Sequence, residues 1–186
     1  MNKTMLNKLF KLILFTGVTS LLLIFYKNKT NPSFYLDYLS VYGYFISLSI
    51  GAAFLIILLH LTRAGWGVVV KRVPEHLMSL LPIYALLFIP ILFGLDFIYE
   101  WLDPHHIEHD LLIQKKLPYL NLSFFVIRNI IYFITFSVTA TFYWKNSIRQ
   151  DNSNKEESDE ISKKLQRRSP IALLFMSLTT SFASFD

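Results

Sequence analysis

The stretch His60-Leu-Thr-Arg63-Ala-Gly65-Trp66-Gly67-Val-Val-Val-Lys71-Arg72-Val-Pro74-Glu75-His76-Leu-Met-Ser-Leu-Leu-Pro82 decides the fold. It joins two segments too apolar for any solvent but a bilayer and gathers polar side chains between them. His60 and Arg63 close the first segment, Gly65-Trp66-Gly67 makes a turn, and Lys71-Arg72 with Glu75-His76 open the second.

Working outward, residues 39–59 carry no charge, and a helix of about 20 residues crosses the ~30 Å hydrocarbon core. Small residues (Gly43, Ser47, Ser49, Gly51, Ala52, Ala53) line this span and suit close helix packing in lipid. A third span is expected over 77–95, kinked where Pro82 and Pro90 each remove a backbone donor. A first span is expected over 9–26, preceded by Lys3, Lys8 and Lys11. A cleaved signal peptide is the other reading of that pattern, but no A-x-A-like site follows it. The fourth span is expected over 120–144, with Arg128-Asn129 about two turns inside it. Residues 145–169 are charged and of low complexity, and read as a polar cytoplasmic linker that does not pack. Residues 170–186 then begin a fifth span that stops short of a full crossing, which reads as a chain truncated within a helix.

Composition agrees. The chain has 186 residues, 53% hydrophobic and only 17% charged, against about 25% charged in a soluble domain. Mean hydropathy is +0.42. With no cysteine, disulfides, thiolate metal sites, a Cys nucleophile and Cys-attached haem or iron–sulfur clusters are excluded. The net charge of +5 is set by topology. With alternating sides, thirteen basic residues fall on the side of the N-terminus and four on the other, Arg128 lying within a span. The positive-inside rule then places the N-terminus in the cytoplasm, and no nucleic-acid footprint is implied. The fold class is all-α: a polytopic transmembrane bundle of four full spans (domain 1–144), the linker and the truncated fifth.

Four residues are candidates for quinol or proton handling. His60 and Arg63, at i, i+3, are expected to share a helix face near the membrane boundary, where a His can donate to a quinone carbonyl or accept a quinol proton. A helix end snorkelling toward lipid headgroups is the other reading. Arg128 is costly in a span and needs a partner, for which Asp96 is the expected carboxylate. A proton path through Arg128 and Asp96 and a purely structural ion pair both satisfy that need. His105-His106-Ile-Glu-His109-Asp110 lacks the H-E-x-x-H order of a helical zinc site and reads as a solvated loop, so no metal is expected. No G-x-S-x-G elbow, P-loop or G-x-G-x-x-G is present, which removes support for hydrolase chemistry and nucleotide binding.

The segment from His60 to Glu75 resembles a signature of the membrane subunits of alternative complex III, a bacterial quinol:cytochrome c oxidoreductase. The likeness is to its second quinone-binding-type subunit, in the NrfD-like (polysulfide reductase membrane-subunit) superfamily. Leu92-Phe-Gly-Leu-Asp96 with Trp101, then Lys116-Leu-Pro-Tyr-Leu-Asn121-Leu-Ser-Phe-Phe125 with Arg128 and Tyr132-Phe133, follow in the expected order. The resemblance implies a bacterial inner-membrane subunit about twice this length that supports quinol oxidation and proton translocation without a redox centre of its own. It implies menaquinol or ubiquinol as the quinol. It implies as partners a multihaem cytochrome, an iron–sulfur subunit and a homologous NrfD-like subunit. His60, Arg63, Asp96 and Arg128 become the positions to test. A secondary transporter or a membrane assembly protein is the alternative, since prolines and polar residues within spans occur there too.

Overall fold

The structure is a computed structural model that describes residues 3–28, 30–102 and 115–186. Its helices are α1 (Lys3–Asn28), α2 (Pro32–Leu61), α3 (Gly67–Val70), α4 (Arg72–Ser79), α5 (Leu81–Leu87), α6 (Ile89–Leu92), α7 (Leu95–Ile98), α8 (Leu122–Asp151) and α9 (Lys155–Ala183), with a 3-10 turn at Glu100–Leu102. Among the described residues there is no strand, and the chain is an all-α bundle. Among the described residues, four stretches are long and apolar enough to cross a membrane: Lys11–Asn28, Pro32–Leu61, Arg72–Leu92 and Leu122–Asp151. The His105–Asp110 stretch lies outside the described residues.

The three long packed helices begin alike. Asn31, Asn121 and Asn154 are extended N-caps whose side-chain oxygens accept from Ser33 N, Phe124 N and Glu157 N. Each satisfies one of the amides that a helix start leaves unpaired. Pro32 in the first turn of α2 adds a residue already set at a helical φ. These caps carry α2 and α8 to 30 residues each, beyond the apolar windows 39–59 and 120–144.

The third span is a chain of short helices, as the prolines require. It starts at Arg72, earlier than 77, because Pro74 falls in the first turn of α4, where a missing N–H is harmless. Breaks follow at Leu80 and Phe88, ahead of Pro82 and Pro90. Ile91 N donates to Phe88 O at 3.0 Å in place of Leu87 O. The Tyr38 hydroxyl of α2 donates to Leu87 O at 2.7 Å, and the Tyr42 hydroxyl to Tyr84 O at 3.1 Å. Two tyrosines of one helix thus serve carbonyls of the helix that the prolines disturb, as an apolar surround demands.

Residues 145–169 correct the sequence reading. α8 continues to Asp151, a turn at Asn152–Asn154 reverses the chain, and α9 runs through the charged stretch into the apolar one. Ile161, Leu165 and Ser169 recur every four residues and are buried, so a stripe within the polar tract docks on the bundle. The Tyr143 hydroxyl and Ser169 Oγ lie 2.9 Å apart, and Gln150 Nε2 donates to Ser162 Oγ at 2.7 Å. α9 packs against both α2 and α8.

The core joins α2 (Ala53, Ile56, Ile57), the broken span (Met78, Leu81, Ile91), α8 (Phe125, Phe136, Ala140, Tyr143) and α9 (Leu165, Met176). α1 touches it at its end, where the Phe25 ring meets Phe34, Tyr35 and Phe93. Gly94 marks the tightest approach, since a Cβ there would overlap the ring of Tyr35, itself 1% exposed. Gly43 has open space around it. Gly94→Ala is therefore expected to lower unfolding free energy by about 1–3 kcal/mol through overpacking. Gly43→Ala should lower it not at all, and mixed-micelle denaturation of the two variants checks the contrast.

Candidate functional site

The buried face of α8 is polar along most of its length. Arg128, Tyr132, Phe136, Thr139, Tyr143 and Ser147 follow at steps of three and four residues, and all are buried. In a soluble protein such a seam would face water; in an apolar helix it must face the bundle and find partners there. At each end it meets a carboxylate. Arg128 and Ser147 are separated by about 28 Å at 1.5 Å per residue.

At one end Arg128 meets Asp186, not Asp96. Nη2 lies 2.6 Å from Asp186 Oδ1 and Nε 2.9 Å from Oδ2, a two-point pairing with both side chains under a tenth exposed. Nη1 donates to Tyr119 O at 2.9 Å, and the Tyr132 hydroxyl donates to Asp186 Oδ2 at 2.8 Å. The guanidinium is sandwiched as well, its Cζ 3.9 Å from the Tyr119 ring centre and 4.6 Å from that of Phe124. Asp96 is exposed on α7 and is not part of this network. The expected Arg128–Asp96 pair is thus replaced, because α9 returns its final turn to the start of α8 and presents a carboxylate there.

A cavity of about 360 Å³ adjoins the pair. Tyr42, Phe88, Phe125 and Phe136 give it aromatic walls, and Ser47, Asn129, Tyr132 and Asp186 add polar atoms. Thr180, on the same wall, has a buried hydroxyl oxygen with no hydrogen-bond partner. Tyr99 also lines it; burial pushes its phenol up, and the Asp186 carboxylate adds to the rise. Flat walls with a few convergent polar groups are the usual makeup of a site for a small ring-shaped ligand.

At the other end the carboxylate is Glu75, which the sequence reading did not single out. It is fully buried. Ser147 Oγ donates to its Oε1 at 2.7 Å, Arg72 Nη1 to its Oε2 at 3.1 Å, and Lys71 Nζ stands 3.9 Å away. Arg72 also pairs with Asp151 at the end of α8. His76 stacks edge-on against Trp144 at 4.9 Å, its Nδ1 2.6 Å from Arg72 O. One signal in the sequence could have found Glu75: a carboxylate four residues past Lys71, at the mouth of an apolar span, needs that lysine.

His60 and Arg63 do not share a helix face. α2 stops at Leu61, and Arg63 turns to a φ of 53°, in the left-handed region. Ala64 N donates to Leu59 O at 3.0 Å and Arg63 N to His60 O at 3.5 Å, the paired bonds of a Schellman cap. Arg63 thus occupies the position where Gly is usual. His60 stays on the helix, its ring 5.6 Å from that of Tyr143 in the seam. The four candidates are therefore divided: Arg128 and His60 adjoin the polar seam, Arg63 caps α2 outside it, and Asp96 stands apart. Among the described residues, no cluster of three or more His, Cys, Asp or Glu side chains could hold a metal ion.

No protein-family model matches the chain, and no curated protein matches it. The pair's own geometry yields an expectation. Asp186→Ala leaves a buried guanidinium without its counter-charge and should cost about 3–5 kcal/mol, whereas replacing both partners together (Arg128→Met with Asp186→Leu) should cost far less. A double-mutant cycle in mixed micelles measures the difference.

Proposed function

We propose that this chain is an integral subunit of a respiratory quinol:cytochrome c oxidoreductase resembling alternative complex III, supporting quinol oxidation and proton movement while the electron carriers belong to partner chains. The resemblance of the His60–Glu75 stretch gives the class. The observation that carries the reading is the buried polar seam of α8 with a carboxylate at each end, Glu75 and Asp186. Segregation of thirteen basic residues to one side supports an N-terminus in the cytoplasm of a bacterial inner membrane. Glu75 then lies toward the cytoplasm and Asp186 toward the outside.

A quinol gives up two electrons and two protons when it is oxidised, so a site that serves it needs proton acceptors with a way out. Arg128 keeps its charge at any physiological pH and holds Asp186 at the mouth of the aromatic cavity. When Asp186 takes up a proton its hold on Arg128 weakens, and the Tyr132 hydroxyl is released from Oδ2. The Tyr119 carbonyl keeps the guanidinium in place meanwhile. Thr139 and the Tyr143–Ser169 pair continue the seam toward Ser147 and Glu75, with gaps that water would bridge.

The test uses the chain assembled with its partner subunits in proteoliposomes. Glu75→Gln and Asp186→Asn are each expected to lower quinol-driven proton release by about tenfold or more, the scale of losing a proton-transfer group. Asp96→Asn, remote from the seam, should leave it unchanged. Full proton release by both seam variants would contradict the proposal, and so would purification of the chain as a solitary transporter.

A further inference from the structure

A second cavity, of about 390 Å³, lies at the Glu75 end, between the end of α2, the turn that follows it and the first half of α9. Arg63, Lys71 and Lys163 contribute three cations to its wall and Asp159 one carboxylate, leaving it net positive. Neither Arg63 nor Lys163 has an ion-pair partner among the described residues. Arg63 holds its place in a left-handed conformation that costs a residue with a side chain about 1–2 kcal/mol and costs glycine nothing. A strained residue at a cavity's rim points to a use for its side chain.

Gln150 supplies a different kind of group. Its Nε2 donates to Ser162 Oγ at 2.7 Å, while its Oε1 is buried with no partner, an acceptor in want of a donor. Leu59 forms an apolar wall next to these polar groups. The cavity thus offers cations, an unused acceptor and an apolar flank, at the level where an apolar span ends.

We infer that this cavity binds the headgroup of an anionic phospholipid. The phosphate diester lies against Arg63 and Lys163, with Lys71 behind, and a headgroup hydroxyl such as that of phosphatidylglycerol donates to Gln150 Oε1. The acyl chains run out past Leu59 into the bilayer. A free phosphate would satisfy the cations, and its P–OH the acceptor, but it would leave the apolar flank uncovered, which is why a lipid is the better fit. The site is independent of the quinol reading, since it needs only that this end of the bundle lie at a membrane surface.

The test is native mass spectrometry of the full-length chain in detergent, titrated with phosphatidylglycerol or phosphatidylcholine, with inorganic phosphate as a competitor. Wild type should bind phosphatidylglycerol about tenfold more tightly than phosphatidylcholine, a difference of about 1.4 kcal/mol. Lys163→Gln and Arg63→Gly should each lose most of that preference. Arg63→Gly should also keep or raise thermal stability, because glycine suits the cap, so a loss of binding there is not a loss of folding. Equal binding of the two lipids by wild type, or a preference unchanged in both variants, overturns the inference. Displacement of the lipid by inorganic phosphate at comparable concentration assigns the cavity to a soluble anion and overturns it as well.

Discussion

Charge buried among apolar helices must be paired, and that requirement fixes how this bundle closes. Lipid tails are as apolar as leucine, so helices in a bilayer gain little by burying aliphatic surface against one another. What holds α8 in register is the set of polar contacts that have no other place to go. Arg128 reaches Asp186 at the end of α9, Ser147 reaches Glu75 on α4, and Tyr143 reaches Ser169 on α9. Each contact joins a different pair of turns, and together they leave α8 one rotation. The apolar residues then fill the space those contacts define.

The atoms of the seam are also those that the proposed chemistry would use. A bundle built only to be stable would do as well with aliphatic residues, because a buried ion pair seldom adds net stability over well-packed hydrophobic groups. A fully buried Glu75, an Asp186 side chain largely shielded by its partners and a line of hydroxyls between them are a poor choice for packing and a good one for carrying protons. The kinked third span shows the same demand: Ile91 N turns to Phe88 O beside Pro90, the Tyr38 hydroxyl takes the Leu87 carbonyl left over, and the Tyr42 hydroxyl adds a second bond at Tyr84 O.

Much of the architecture was legible in the sequence because hydrophobic length is a crude and sturdy signal. Three of the four expected full spans are single helices and the third is a run of short ones, with Pro82 and Pro90 marking two of its breaks. What stayed hidden depends on tertiary contact. The 145–169 stretch has the composition of a linker, yet Ile161, Leu165 and Ser169 form a stripe too sparse to alter that composition. Asn154 with Glu157 three residues on was a readable helix start within it. Arg128 was readable as a charge in need of a partner, but its partner was not. Asp96 lies near the same end of the bundle as Arg128, since Tyr99 and Trp101 pack on Phe125, and only the return of α9 brings Asp186 nearer. Arg63 could not be placed from spacing, since i, i+3 means a shared face only while the helix continues. The hydroxyl spacing along α8 was present all along and is visible once Arg128 is read with Tyr132, Thr139 and Tyr143 as one face.

The rotation of α8 is the claim on which site and function both rest, and the absence of native cysteine makes it directly measurable. Single cysteines placed along 125–147 and treated with a membrane-partitioning maleimide should label in phase with the lipid side. Positions 127, 130, 131, 134 and 138, whose apolar side chains are exposed, should react readily. Positions 128, 132, 139 and 143 should be protected. Labelling with the opposite phase, or with no helical phase at all, would contradict a seam turned into the bundle.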